Sequence, residues 1–359
     1  MKNSDFISSI LIEWYESNKR DLPWRGISNP YKIWISEIIL QQTRVAQGLE
    51  YYLRFIDRFP DVKSLAEADE QEVLRYWQGL GYYSRARNLH QTAKIIMHTN
   101  HGVFPQDYEA ILRLKGIGEY TAAAIISFAW NMPYPVVDGN VFRFLSRFFA
   151  IDEPVDTGKG KKYFMTLAKE LMDPSRAGLF NQAIMEFGAL QCIPASPDCG
   201  ICPLETYCLA CANRSVAQYP VKQNKTKTKT LYLYYFHIRR DDFIYIRKRK
   251  EKGIWQNLFE FPLIESEAAL DFEQLSQTAL FKEWFEEGEN YEFKERIQNR
   301  KHLLSHRELY ASFYEVSVEK ESEALRKFTK IRAEEIDRYP LHRLMELYVS
   351  GTAADSKKK

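Results

Sequence analysis

Five cysteines fall between residues 192 and 211, and four of them form Cys192-x6-Cys199-x2-Cys202-x5-Cys208. Soft thiolates packed this densely, and punctuated by Pro194, Pro197, Gly200 and Pro203, suit a metal centre rather than a disulfide framework. Zinc and an iron–sulfur cluster are the two occupants to weigh. Zinc ribbons usually offer two C-x2-C knuckles, and this stretch has one. Cys211 is an extra thiol. A second constellation lies upstream, where Gly116-Ile117-Gly118 opens directly into an apolar helix and an acid follows in Val136-Val137-Asp138-Gly139-Asn140. The glycines allow a tight turn with close backbone approach, and the helix N-terminus adds partial positive charge, so a phosphate is the natural guest. A carboxylate soon after such an anchor points to chemistry on whatever carries the phosphate. Asp138 is also placed to cap the helix from Gly139.

A chain of 359 residues must position these groups, enough for two or more domains with separate cores. Its apolar content of 45% and mean hydropathy of −0.43 describe a globular protein. Net charge is +2, so a nucleic-acid partner would need a local basic surface. The slight positive excess lies before Lys229. No apolar run reaches transmembrane length, and MKNSDFISS lacks a signal peptide's layout. The expectation is a cytoplasmic protein without a membrane partner, nucleoid-associated if the source is bacterial.

Residues 1 to about 215 read as mostly helical. Ile35, Ile38, Ile39, Val45, Leu49, Tyr52, Leu53 and Ile56 keep helical spacing over Ile33–Ile56, with Glu37, Gln41 and Arg44 on the opposite side. Further helices are expected near 69–77, 84–99, 107–113, 119–130, 139–149, 160–172 and 178–190, separated by Gly and Pro breaks. The polar stretch around Val221–Thr230 reads as a linker. Beyond it, LYLYYFHIRR and FIYIRKR flank Asp241-Asp242 like a hairpin. Further strands are expected at 256–262, 291–298 and 309–318, and helices near 271–286 and 332–348. The domain scheme is a helical region over 1–216, a linker over 217–230, an α+β domain over 231–350 and a disordered tail over 351–359.

The cysteine spacing resembles the [4Fe–4S] loop of the endonuclease III and MutY group of DNA glycosylases. With it, the Gly116–Asp138 segment resembles the helix-hairpin-helix and catalytic Asp of that superfamily. The likeness extends to Leu22-Pro23-Trp24-Arg25, Ser36-Glu37-Ile38-Ile39-Leu40-Gln41-Gln42-Thr43, Gly79-Leu80-Gly81-Tyr82-Tyr83-Ser84-Arg85 and Phe180-Asn181-Gln182-Ala183. The fold implied is a mainly α-helical catalytic region followed by an α+β Nudix-like domain. Endonuclease III-like members carry a Schiff-base lysine two residues after the second hairpin glycine, and here that position is Tyr120. Lys115 stands where the family more often has Pro, which is favourable beside a phosphate.

The Glu37 motif and the second domain are similar to MutY-type adenine DNA glycosylases. The resemblance implies a monofunctional enzyme, a monomer, that removes adenine opposite 8-oxoguanine or guanine in double-stranded DNA and leaves an abasic site. Glu37 would protonate adenine at N7, its pKa raised by burial, and ionised Asp138 would stabilise the oxocarbenium-like sugar. Tyr120 and Asn140 would support that carboxylate and the sugar. Trp24, Arg25 and Gln182 would line the adenine pocket. Gln42 and Tyr82 would enter the base stack, with Thr43, Arg85, Gly116 and Gly118 on the DNA surface. Cys192, Cys199, Cys202 and Cys208 would hold a [4Fe–4S] cluster. In the second domain, Gly253–Pro262 resembles the MutY C-terminal domain, and Phe285-Glu286-Glu287-Gly288 lacks the Nudix hydrolase pattern. A reader loop is implied at Leu304-Ser305-His306, with His302 nearby. The rivals are an oxidised-pyrimidine glycosylase with lyase activity and a non-enzymatic iron–sulfur protein that binds DNA.

Overall fold

Ile33, Trp34, Ile35, Ile38 and Ile39 are all buried, so α2 (Pro30–Leu40) is a core helix enclosed on every side. Asn29 caps it by accepting from the Lys32 N–H at 3.0 Å. The helix stops at Leu40, Gln42 turns to φ +60°, and α3 (Val45–Arg58) begins afresh. The continuous helical stretch expected over Ile33–Ile56 is therefore two helices. The shared polar face of Glu37, Gln41 and Arg44 does not exist, and Glu37 is buried with the apolar residues around it.

The computed structural model describes residues 3–224, 228–285, 291–304 and 306–356. They divide into two units, one from 1–67 and 88–225, the other from 68–87 and 226–359. The first unit is helical. It holds α1 (Asn3–Asn18), α2, α3, α4 (Val62–Glu67), α7 (Tyr108–Leu112), α8 (Glu119–Trp130), α9 (Gly139–Phe148), α10 (Gly158–Leu171), α11 (Ala177–Leu190) and α12 (Leu209–Ala212). Most of α6 (Ser84–Asn100) belongs to it, whereas α5 (Glu70–Trp77) lies in the second unit. The sequence reading assigns no helix to α1, although Ile7, Leu11, Ile12 and Tyr15 share one face. Those four pack with Phe144, Leu145 and Phe148 of α9 and Phe180, Ile184 and Phe187 of α11 in one core. Each such buried side chain contributes roughly 1.5–3 kcal/mol. Gly188 lets α11 approach the start of α9 closely, since a Cβ there would meet the Asn140 carbonyl oxygen at 2.6 Å.

The second unit is a mixed sheet with helices, an α+β arrangement as expected. Its strands are β1 (Lys229–Arg240), β2 (Phe243–Lys248), β3 (Phe259–Glu260), β4 (Leu263–Ser266), β5 (Tyr291–Leu304), β6 (Arg307–Val318) and β7 (Thr329–Arg332). The order is β3-β2-β1-β6-β5, with β4 on β1 and β7 on β2. β1 and β6 run parallel, Leu233 opposite Ala311, and β5 returns antiparallel with Leu304 opposite Arg307. α13 (Phe272–Ser276) and α14 (Ala279–Trp284) cover an aromatic core around Phe236, Phe281 and Trp284. The helix expected near 332–348 is a 3-10 turn, Ala333–Arg338, then a break at Pro340, where the ring blocks helical continuation, then α15 (Arg343–Ser356).

Three boundaries differ from the expected scheme. Residues 68–87 pack with the C-terminal chain. Part of the expected linker is tied down, with Val155 N–H donating to Val221 O at 3.1 Å and Gln223 N–H to Asp156 Oδ1 at 2.9 Å, while Lys229 already pairs with Arg307 in the sheet. Finally, α15 continues to Ser356, into the stretch expected as tail; Lys357, Lys358 and Lys359 lie outside the described residues. Among the described residues no helix is long and apolar enough to cross a membrane.

Candidate active site

The ends of α2, α8, α9 and α11 line a cleft of about 410 Å³ in the helical unit. Glu37, Tyr120, Asp138, Asn140, Trp24, Arg25, Gln182, Gln42 and Thr43 all border it. The sequence scatters these residues over 159 positions, from 24 to 182; the helix packing brings them together. Arg20 and Glu186 border it too, and the sequence reading names neither. Glu186 lies one turn beyond Gln182 on α11, a spacing that could have marked it.

The two carboxyls differ in their surroundings. Glu37 is 7% exposed and receives a hydrogen bond from the Tyr120 hydroxyl at 2.8 Å. Burial pushes its pKa up to about 7, against the opposing pull of Tyr120 and Arg25 and with a further push from Asp138. Asp138 sits at the N-cap of α9, so it is both cap and candidate reactive group. Burial raises its pKa as well, but three N–H donors favour its anion: the backbones of Asn140 and Val141, both at 2.9 Å, and the Asn140 side chain at 2.7 Å. Paired groups whose surroundings separate their protonation divide acid and anion roles between them. Both carboxyls are pushed upward by burial, but three N–H donors oppose the push at Asp138, against a single hydroxyl at Glu37. Such a pair can protonate a leaving group and stabilise positive charge left behind.

The walls are fixed by their own contacts. Arg20 and Arg25 both grip the buried Glu186, at 2.6 and 2.9 Å. Burial alone would raise the Glu186 pKa, but the two guanidiniums hold it below the usual value. The Tyr15 hydroxyl donates to Gln182 Oε1 at 2.7 Å, which leaves that side chain's NH₂ facing away from Tyr15 as a donor. Trp24 is buried edge-on against Tyr52, with centroids 5.0 Å apart. Gln42 is exposed at the break between α2 and α3.

At the hairpin before α8, Gly116 has φ +80°, and a Cβ there would lie 2.7 Å from Asn88 Cβ. Gly118 is exposed with open space where its Cβ would be, and no side chain caps α8. The uncapped N–H groups therefore face a surface that an anion can reach. Tyr82 and Arg85 belong to the other unit, as do Leu304 and His306, which flank the turn from β5 to β6. Ser305 lies outside the described residues.

Cys192, Cys199, Cys202, Cys208 and Cys211 are unpaired and line a single cavity beside Phe144, Phe148 and Phe187. Among the described residues no three of these groups converge on one ion position; they ring a space. Backbone N–H groups of Leu204, Ala210 and Cys211 are directed at the Cys202 and Cys208 sulfurs. Arg147 approaches Cys192 Sγ at 3.5 Å and holds Ile193 O at 2.7 Å and Pro194 O at 2.9 Å. Burial pushes the Cys202 thiol up to about 11, so four thiolates here need cationic compensation. Arg143 joins this loop to the cleft. It donates to Cys192 O at 2.8 Å and, from the same guanidinium, to Asn140 Oδ1 at 2.9 Å.

Known proteins place this arrangement. Residues 35–174 match the HhH-GPD superfamily of base excision DNA repair proteins, and residues 234–351 match the NUDIX domain. A thermostable thymine-DNA glycosylase is similar in structure, with a TM-score of 0.55 and 27% identity over 59% of this chain and 98% of that one. Endonuclease III in a non-covalent DNA complex shares the fold at TM-score 0.50 and 21% identity, covering 60% of this chain and 99% of its own. The helical unit is thus of the base excision repair glycosylase class. An adenine DNA glycosylase of Buchnera aphidicola is 36% identical over 85% of this chain and 84% of its own length. One from Arabidopsis thaliana is 37% identical over 71% of this chain and 46% of its own length. The chain belongs to the adenine DNA glycosylase family.

Proposed function

We propose that the chain hydrolyses the N-glycosidic bond of adenine paired with 8-oxoguanine or guanine in duplex DNA, leaving an abasic site. The observation that carries this reading is the carboxyl pair, with Glu37 buried and its pKa pushed up to about 7, and Asp138 bonded by three N–H donors that favour its anion, in the same cleft. A base inside a duplex must be flipped out before it is reached. The Gly116–Gly118 hairpin would hold the backbone, Gln42 and Tyr82 would fill the stack, and Trp24, Arg25 and Gln182 would receive the base. Glu37 then gives its proton to adenine N7, the C–N bond breaks, and Asp138 stabilises the sugar cation until water adds. The Leu304–His306 turn would meet the base opposite.

Tyr120 carries a separate consequence. Its hydroxyl is committed to Glu37, and it offers no amine to form a Schiff base with the sugar. Incubation with a duplex containing one A:8-oxoguanine pair is expected to give an alkali-labile site and no strand break before alkali. Borohydride should trap no covalent adduct. Adenine release from A:8-oxoguanine and A:G duplexes, with no base released from a thymine glycol duplex, is the expected result. Cleavage of the thymine glycol duplex alone would overturn the reading.

For the thiol ring, the reading is a [4Fe–4S] cluster held by Cys192, Cys199, Cys202 and Cys208. Soft donors around a space, with N–H groups directed at their sulfurs, fit a multi-iron group better than one ion. Purified protein is expected to be brown, with about four irons per chain, and Cys202→Ser to lose that absorbance. Zinc without colour would refute it.

A further inference from the structure

Tyr82 does not sit in the unit that holds the carboxyl pair. Residues 68–87 belong with the C-terminal chain, and hydrogen bonds fasten them there. Gln78 Oε1 accepts from the Leu341 N–H at 3.1 Å, and the buried Tyr83 hydroxyl donates to Leu341 O at 3.2 Å. Arg87 donates to Gln256 O at 2.7 Å, and the Asn257 side chain donates to Glu70 Oε1 at 2.7 Å.

Between these anchors the loop is wound tightly. Gly79, Gly81 and Tyr82 all have positive φ, and Tyr82, at +48°, is the one with a side chain. A residue in that region costs on the order of 1–3 kcal/mol and persists where its surroundings over-determine it. Trp77 Nε1 and Arg85 Nη2 both donate to Gly81 O, at 3.0 and 3.3 Å. The ring of Tyr82 is left 47% exposed, while Tyr83 is buried.

The anchoring segments lead on to the reader turn. His342, next to Leu341, stacks on Trp255 with centroids 3.9 Å apart and planes 8° from parallel. Trp255 directly precedes Gln256 and Asn257, and its ring lies 6.4 Å from His302. His302 is on β5, the strand that ends at Leu304. A contiguous packed path thus runs from the reader strand through Trp255 and His342 to both ends of the Tyr82 loop.

We propose that the C-terminal domain, through Asn257, Gln256 and Leu341, is the positioning element for Tyr82, so that insertion of the wedge and inspection of the opposite base act as one body. This rests on the functional reading given above, in which Tyr82 enters the stack and the β5–β6 turn meets the opposite base. Asn257 and Gln78 are positioning residues here; neither touches the reacting atoms.

The test uses the full-length protein and two variants at opposite ends of the clasp, Asn257→Ala and Gln78→Ala. Amide hydrogen exchange without DNA is expected to accelerate about tenfold in residues 79–85 of either variant, with α2 and α9 unchanged. In single-turnover excision, the ratio of rates for A:8-oxoguanine over A:G is expected to fall about tenfold in both variants, with the melting temperature unchanged in Gln78→Ala; Asn257, at φ +68°, also loses some stability as Ala. Glu70→Ala combined with Asn257→Ala should add little beyond either single change. Wild-type values for either the exchange or the ratio in both variants overturn the proposal. If wild type itself releases adenine from neither duplex, the functional reading fails; if it discriminates and both variants do so equally well, the coupling alone fails.

Discussion

Glu37→Gln is expected to lower single-turnover adenine excision by roughly 10²–10⁴-fold while leaving DNA affinity near wild type. Glutamine keeps the volume and can still accept from the Tyr120 hydroxyl, so the cleft keeps its shape and loses only the transferable proton. The wild-type rate should fall on the alkaline side of about 7, where the buried carboxyl gives up that proton; the variant's residual rate should not follow this profile. The same substitution has an opposite effect on stability. The folded-state pKa lies above the ordinary 4.5, so folding is favoured below 4.5, and that contribution is lost as pH rises to about 7. Above that, wild type buries a charge that glutamine does not carry. The variant is therefore expected to melt higher at pH 8, by a stability difference of roughly 3 kcal/mol, and to match wild type near pH 4. Thermal melts at the two pH values check this. A variant that loses activity and melts lower at pH 8 would mean that Glu37 is a structural hydrogen-bond partner and not an acid.

Asp138→Asn is expected to cost on the order of 10²–10³-fold in excision rate, with a melting temperature close to wild type. Asparagine caps a helix about as well as aspartate, so it can take over the bonds to the Asn140 and Val141 N–H groups. It cannot supply the negative charge that a sugar cation needs. Asp138→Ala removes both roles and should lose about 1 kcal/mol of stability in addition. The pair of variants separates the cap from the chemistry: if Asp138→Asn excises adenine at the wild-type rate, Asp138 is a cap only.

Much of the helical unit is legible because its helices announce their ends. Asp107, Gly118, Asp138 and Thr157 stand at N-caps, and the helices behind the first three begin within a residue of where the spacing puts them. The break at Gln41–Arg44 is not legible, because neither Gly nor Pro marks it and the apolar spacing runs straight through. Packing decided it: the positive φ at Gln42 has no local sequence cause. Glu37 was recognisable from its motif, yet its burial follows from the mostly apolar text around it, Ile33-Trp34-Ile35 before and Ile38-Ile39 after. The roles of Arg20, Arg143 and Glu186 were hidden for another reason. Each acts on a residue far away in the chain, and a lone Arg or Glu carries no signal of such a partner. The allegiance of residues 68–87 was hidden in the same way, since what holds them lies at 256–257 and 341.

The guanidinium of Arg143 has one further consequence. It touches the carbonyl of Cys192 on one side and, on the other, the amide that orients the Asp138 carboxylate. A displacement of the thiol loop would be transmitted to the carboxylate across three hydrogen bonds, Cys192 to Arg143, Arg143 to Asn140 and Asn140 to Asp138. The position of the Asp138 carboxylate is thus set in part by a loop that begins 54 residues further along the chain.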